Sequence, residues 1–181
     1  KLGENAWEWP EEKLQQALEE IHFSLQGSGL DSKLKINDHE IKDEIRNEKV
    51  GLWASYMGRS PLVRDLLKKE QQKIGQFIAL VAEGRDMGTV VFPQAAHKFF
   101  LDADPEIRAK RRWLQLKGMG IDEDLQEMVE AIKTRDAQDR NRTIAPLRPA
   151  EDALVVDTSL ISAAEVLEKI KRKILEKKSD T

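Results

Sequence analysis

Three short apolar runs set the tightest limit on how this chain can fold. They are Ile78–Ala82, His97–Leu101 and Ala153–Val156. Each ends in an acidic or glycine-bearing turn. Helical patterns follow the second and third, at Pro105–Lys117 and Ser162–Lys177. Short buried strands alternating with helices predict an α/β architecture, a parallel sheet covered on both faces. Between them, Asp122–Gln138 reads as another amphipathic helix, with Leu125, Met128, Val129 and Ile132 as its apolar stripe. A chain of 181 residues suits one ordinary domain with room for a small insert. It has no repeat of 20–50 residues and no linker rich enough in proline, glycine or serine to divide it.

The first third has a different pattern. Residues 11–20 read as a short helix, with Pro10 in its first turn. Ile21, Phe23 and Leu25 then alternate with polar residues, as do Leu34 and Ile36 after the turn "QGSGLDS". Asn37-Asp38 suggests a second turn leading into His39–Ile41, so the segment reads as an antiparallel meander of two or three strands. Residues 44–57 read as helical. Ser60 suits an N-cap and Pro61 a first helical residue. Leu62, Leu66, Ile74, Phe77 and Ile78 mark a long amphipathic helix whose Lys68, Lys69 and Lys73 face solvent.

Composition narrows the function. Thirty basic and thirty-three acidic residues leave a net charge of -3, without the extended basic face that nucleic acid requires. The absence of cysteine removes disulfide and thiolate chemistry and fits a reducing compartment. No apolar run reaches membrane-spanning length, and "KLGENAWEWP" lacks the apolar centre of a signal peptide. His22, His39 and His97 form no recognised metal motif, and no metal ligand is assigned. Ser55 and Ser60 lie in no acyl-transfer motif. Trp7, Trp9, Trp53 and Trp113 read as packing residues, and "KIKRKILEKK" as a face of a terminal helix.

Three clusters carry candidate chemistry. Glu83-Gly84-Arg85-Asp86 follows an expected strand, at the sheet edge where ligands bind in open parallel sheets. Arg85 offers a rigid donor fork suited to phosphate, and Asp86 an acceptor. A turn with a local salt bridge would have the same sequence. Arg108, Arg111 and Arg112 form the second cluster, in which Arg108 and Arg112 share a helix face. They need an anion or carboxylates to offset them. Arg135, Asp139 and Arg142 form the third, at helical spacings of four and three, with Asp136 and Asp139 able to orient the arginines. A salt-laced helix is the alternative there. Three arginine clusters in one chain favour anion binding.

The blocks "VAEGRDMGTVVFPQAAHKFFLDADPEIRAKRRWLQL" and "IKTRDAQDRNRTIAPLRPAEDALVVDTS" closely resemble bacterial cytidylate kinase, with a continuous match from about Trp7 to Lys177. The resemblance implies a P-loop nucleoside monophosphate kinase fold and transfer of the ATP γ-phosphoryl group to CMP or dCMP, with Mg²⁺ inferred from the reaction. It implies a cytoplasmic monomer that takes nucleotides, with no nucleic-acid or membrane partner. By position, Ser55 and Arg64 match CMP-binding residues. Arg85 matches the arginine at the monophosphate, and Asp86 the aspartate on the cytosine side. Arg135 and Arg142 match phosphate-facing arginines, and Asp139 the carboxylate that holds the CMP ribose. Arg108 and Arg112 fall in the lid over ATP, and Pro146 beside adenine. The catalytic arginines implied are Arg85, Arg108, Arg112, Arg135 and Arg142. The segments implied are a core helix at 1–20, a CMP-binding insert at 21–76, core sheet at 77–107, lid and flanking helices at 108–142, and core at 143–181.

One element of that pattern does not occur. The turn GxxxxGK[ST], whose amides and lysine cradle ATP phosphates, is missing from the 181 residues. The resemblance puts it, with the first strand, upstream of Lys1. The expectation is therefore an incomplete chain that does not transfer phosphoryl groups alone. A non-catalytic CMP-binding or regulatory relative is the alternative, distinguished by CMP binding without ATP turnover.

Overall fold

A computed structural model of the chain describes residues 6–27, 31–42, 45, 48–77 and 79–179. The backbone groups into two units, Lys1–Ala82 with Arg142–Ile144, and Glu83–Asn141 with Ala145–Thr181.

The first unit contains helix α1 (Glu11–Glu19), strands β1 (Phe23–Gln26), β2 (Lys33–Ile36) and β3 (His39–Glu40), and helices α2 (Glu48–Met57) and α3 (Pro61–Phe77). The meander is three-stranded and antiparallel, in the order β1-β2-β3. Its second turn is the two-residue Asn37-Asp38 link, since Ile36 pairs with His39. Both residues are left-handed, with φ of 48° and 63°, as a type I′ hairpin requires. Asn37 does more than turn the chain. Its Oδ1 accepts from His22 N–H at 2.7 Å, and its Nδ2 donates to the Glu20 carbonyl at 2.8 Å. Pro10 occupies the cap of α1 rather than its first turn. Pro61 opens α3 as expected. Leu14 and Leu18 of α1 and Val63 of α3 are buried together, with Ile21, Met57, Leu62 and Leu66 against them. Residues 28–30 of the first expected turn, residues 44, 46 and 47 of the expected helix, and Ile78 lie outside the described residues.

The second unit contains β4 (Phe99–Asp102), α4 (Pro105–Gly118), α5 (Leu125–Asn141), β5 (Leu154–Asp157) and α6 (Ala163–Ser179). β4 and β5 pair in parallel, Phe99 opposite Leu154 through Asp102 opposite Asp157. Asp104 caps α4 by accepting from Glu106 N–H at 2.8 Å, and Asp124 does the same for α5 through Glu127 N–H. That cap starts α5 at Leu125, three residues after the expected Asp122. The two helices close on each other through Ala109, Leu116, Met128 and Val129, with Trp113 and Ile132 packed alongside. Leu125, expected on that stripe, is exposed in the first turn.

Two expectations about the sheet are overturned. The run Ile78–Ala82 is not a strand over 79–82, and Val81 is fully exposed. A strand persists through ladder bonds and a buried face, and 79–82 has neither among the described residues. Among the described residues the parallel sheet is consequently two-stranded, and Leu101 and Val155 are more than half exposed where the sequence predicts full cover. The apolar segment after Asp86, for which the sequence predicts no element, is wound. Met87–Val91 forms a π-helical turn in which the Asp86 carbonyl accepts from Val90 N–H at 2.9 Å and more loosely from Thr89 and Val91.

Two outcomes follow. Asn37→Ala removes both side-chain bonds and the tolerance of φ > 0, so urea unfolding should show the protein destabilised by about 1–3 kcal/mol. At α6, Ser162 N–H and hydroxyl each donate to Glu165 Oε2 at 2.7 Å, and Ser162 Oγ accepts from Glu165 N–H at 3.3 Å, a capping box. These bonds, led by the Ser162 N–H, hold the Glu165 carboxyl below its ordinary value of 4.5. A depressed carboxyl stabilises above its unfolded value, and that contribution is lost as pH falls through the folded value. Protection of the first-turn amides of α6, measured relative to their intrinsic exchange, should therefore fall below pH 4.5. In Glu165→Gln, which keeps an acceptor but does not titrate, this acid limb should be flat.

Candidate functional site

In the second unit the chemistry gathers on one face of α5. The packing of α4 against α5 fixes the helix's rotation, so its buried stripe and its charged face are set together. Within the last turn of the helix, Asp139 is buried to 3% exposure. Its Oδ2 accepts from Arg85 Nε at 3.0 Å, and Arg135 Nε stands 4.0 Å from the same oxygen. An isolated buried carboxylate would cost several kcal/mol in lost solvation, and the two guanidinium groups offset that cost. The Arg85 side chain remains 42% exposed, so its fork is held at one edge while the rest meets solvent. Arg135 Nε is buried with no hydrogen-bond partner of its own. Asp86 is also buried, at the mouth of the π-helical turn.

The α4 arginines separate into three roles. Arg108 donates through Nη1 to Asp136 Oδ1 at 3.0 Å, through Nη2 to Asp136 Oδ2, and through Nε to the Ala103 carbonyl at 3.0 Å. The paired carboxylate raises its pKa further, against the effect of burial. Arg111 donates to the Thr158 hydroxyl and carbonyl and to the Ile161 carbonyl, which ties α4 to the end of β5. Arg112 donates to Gln115 within its own helix. Arg108, expected over ATP, is here engaged at all three nitrogens. Arg140 points away from Asp139 and pairs with Asp102 at 3.5 Å, as its position on the helix requires. Pro146 follows Ala145, whose φ is 48°, and the next amide, Leu147 N–H, donates to the Asp139 carbonyl at 2.8 Å.

In the first unit, Ser55 is buried on α2. Arg64 Nη1 donates to the Gly58 carbonyl at 3.4 Å, and a β-carbon on Gly58 would stand 3.7 Å from Arg142 Nη1. Gly58, Arg64 and Arg142 are thus neighbours. Among the described residues, no group of three or more His, Cys, Asp or Glu side chains could hold a metal, and no helix is long and apolar enough to cross a membrane.

Residues 2–176 match the sequence profile of the family described as cytidylate kinase. The chain belongs to the cytidylate kinase family. It is 54% identical over 170 residues to a protein named cytidylate kinase from Maridesulfovibrio salexigens, a match covering 94% of this chain and 76% of that one. The cytidylate kinase of Oleidesulfovibrio alaskensis is 47% identical over 174 residues, covering 96% and 80%, and that of Nitratidesulfovibrio vulgaris 52% identical over 158 residues, covering 87% and 68%. The cytidylate kinase family consists of phosphotransferases with the P-loop nucleoside monophosphate kinase fold, and the helix-flanked parallel pair β4–β5 is consistent with it.

Sequence reasoning missed two residues that organise this member of the cytidylate kinase family. Arg111 stood in a named cluster without a role, and its contacts lie near residue 158, beyond the reach of local spacing. Lys98 immediately precedes β4 and carries an ion pair to Asp152. Nothing nearby in sequence signals it. Asp139→Ala should destabilise the second unit by about 1.5–3 kcal/mol, the cost of a hydrogen bond to a charged group, because half-exposed Arg85 can regain water. Chemical unfolding of the variant measures this, and a change under 0.5 kcal/mol would mean that the carboxylate contributes no net stability.

Proposed function

We propose that this protein moves the γ-phosphoryl group of ATP onto CMP or dCMP, giving ADP and CDP or dCDP. The observation that carries the reading is the buried Asp139 carboxylate holding Arg85 and Arg135 by one edge. The relatives' shared name supplies the substrate. At neutral pH a phosphate monoester is largely dianionic, so the acceptor needs no general base. A CMP phosphate oxygen attacks the γ-phosphorus of ATP. The bond from that phosphorus to the β,γ-bridging oxygen breaks, and the electron pair leaves with ADP. The chain's residues position the reactants and match the spreading negative charge. Mg²⁺ enters as part of the ATP complex.

In this reading Arg85 and Arg142 meet the acceptor phosphate, with Arg135 facing the phosphates, while Asp139 also takes the ribose. Ser55, Arg64 and Asp86 recognise the nucleotide. Arg112 and Pro146 serve ATP, as does Arg108 once it exchanges Asp136 for phosphate. Residues 21–76 form the CMP-binding part, 108–142 the lid and flanking helices, and 1–20, 77–107 and 143–181 the core. The protein works as a cytoplasmic monomer beside its nucleotide substrates.

The test is ADP formation from MgATP by the purified natural protein, with and without CMP. CMP-dependent ADP release is expected, and Arg85→Ala should slow it by about 10²–10³-fold. CMP binding with no ADP release would leave a binding protein, and no CMP affinity would sink the assignment altogether.

A further inference from the structure

Two segments of the second unit carry residues assigned above to opposite substrates. One runs from 84 to 93 and bears Arg85 and Asp86. The other runs from 145 to 153 and bears Pro146. They are tied together at both ends. At one end Asp139 does the tying, its carboxylate on Arg85 and its carbonyl on Leu147 N–H. At the other end the tie is Lys98. Its side chain is only 8% exposed. Nζ donates to the Pro93 carbonyl at 2.6 Å and to both carboxylate oxygens of Asp152, at 2.8 and 2.7 Å. An ammonium has three N–H donors, and these three acceptors match them.

The lysine stem is enclosed as closely as its head. A β-carbon on Gly88 would stand 3.3 Å from Lys98 Cδ, 3.5 Å from Cγ and 3.7 Å from the Ala150 β-carbon. The π-helical turn thus lies against the lysine stem, with Ala150 of the other segment also at Gly88. The backbone of Lys98 joins in, since its carbonyl accepts from Leu154 N–H at 2.9 Å and extends the β4–β5 ladder. A surface ion pair has no need of a buried stem, three matched acceptors and a glycine at the point of approach.

We propose that Lys98, with Asp152, is a positioning pair that transmits acceptor occupancy at Arg85 and Asp86 to the donor-side segment 145–153. The proposal rests on the CMP reading above. Lys98 touches neither nucleotide in this scheme. It holds the two segments at one spacing, so that ordering the first orders the second.

Hydrogen exchange with peptide-level mass spectrometry tests the coupling. CMP is supplied at a hundredfold its dissociation constant, measured by calorimetry. Linkage then slows CMP-linked opening by roughly 100-fold. In the natural protein this slowing is expected both in 84–92 and at the Ala153 and Leu154 amides. Lys98→Met keeps the stem over Gly88 and removes the three donors. Asp152→Ala, which removes both carboxylate acceptors at an exposed side chain, retains the fold should the methionine variant not. In both variants CMP should still protect 84–92 and no longer protect Ala153 and Leu154. Protection of those two amides surviving in the variants, or missing in a natural protein that binds CMP, would overturn the inference alone. A natural protein with no calorimetric CMP binding would overturn the underlying reading and the inference with it.

Discussion

The second unit depends on a carboxylate almost wholly withdrawn from water. Asp139 sits at the end of α5, where its side chain gathers Arg85 and Arg135 and its carbonyl receives Leu147 N–H. A charge so buried tolerates little displacement, because each lost partner leaves it unsolvated. Its location is set by packing rather than by polar groups. Ala109 is wholly inaccessible, and its small side chain lets α4 lie close against Met128 and Val129. One turn before Asp139, Asp136 is gripped by Arg108. The apolar seam and the ion pairs thus specify the same rotation of α5.

The arginines of α4 show why residue type alone does not assign a role. Arg108, Arg111 and Arg112 are close in sequence but lead to α5, to the end of β5 and back to α4 itself. Arginine suits the first two because its planar fork serves several acceptors in fixed directions. Thr158 shows the same economy of contacts. Its hydroxyl accepts from Arg111 and donates to the Asp102 carbonyl, while its amide bonds that carbonyl as well. The carboxyl ends of β4 and β5 are thereby closed by side chains.

Local patterning was legible wherever local physics decides. The Asn37-Asp38 turn, Pro61 at the start of α3 and the spacing of Arg135 and Asp139 each follow from neighbours within a few residues. The failures share a cause. Residues 79–82 have strand composition but no ladder among the described residues, and composition cannot supply a partner. Met87–Val91, which received no assignment from the sequence, winds because the Asp86 carbonyl gathers its amides. Arg108 and Asp136 were both noticed as charged groups, but their mutual engagement depends on the α4–α5 packing. Lys98 was invisible, since its acceptor Asp152 lies on the far side of two helices in the chain.

The register of the parallel pair also has a bearing on the order of events as the chain is made. Phe99 has its ladder partner in Leu154, and α4 and α5 are synthesised between them. Loop closure over such a span must precede any reward from pairing, which slows folding. The meander closes within a few residues and has no such delay. During synthesis the β4–β5 ladder therefore waits until β5 has been made. The α4–α5 seam joins residues much nearer in sequence, so its closure costs less chain entropy than that of the ladder.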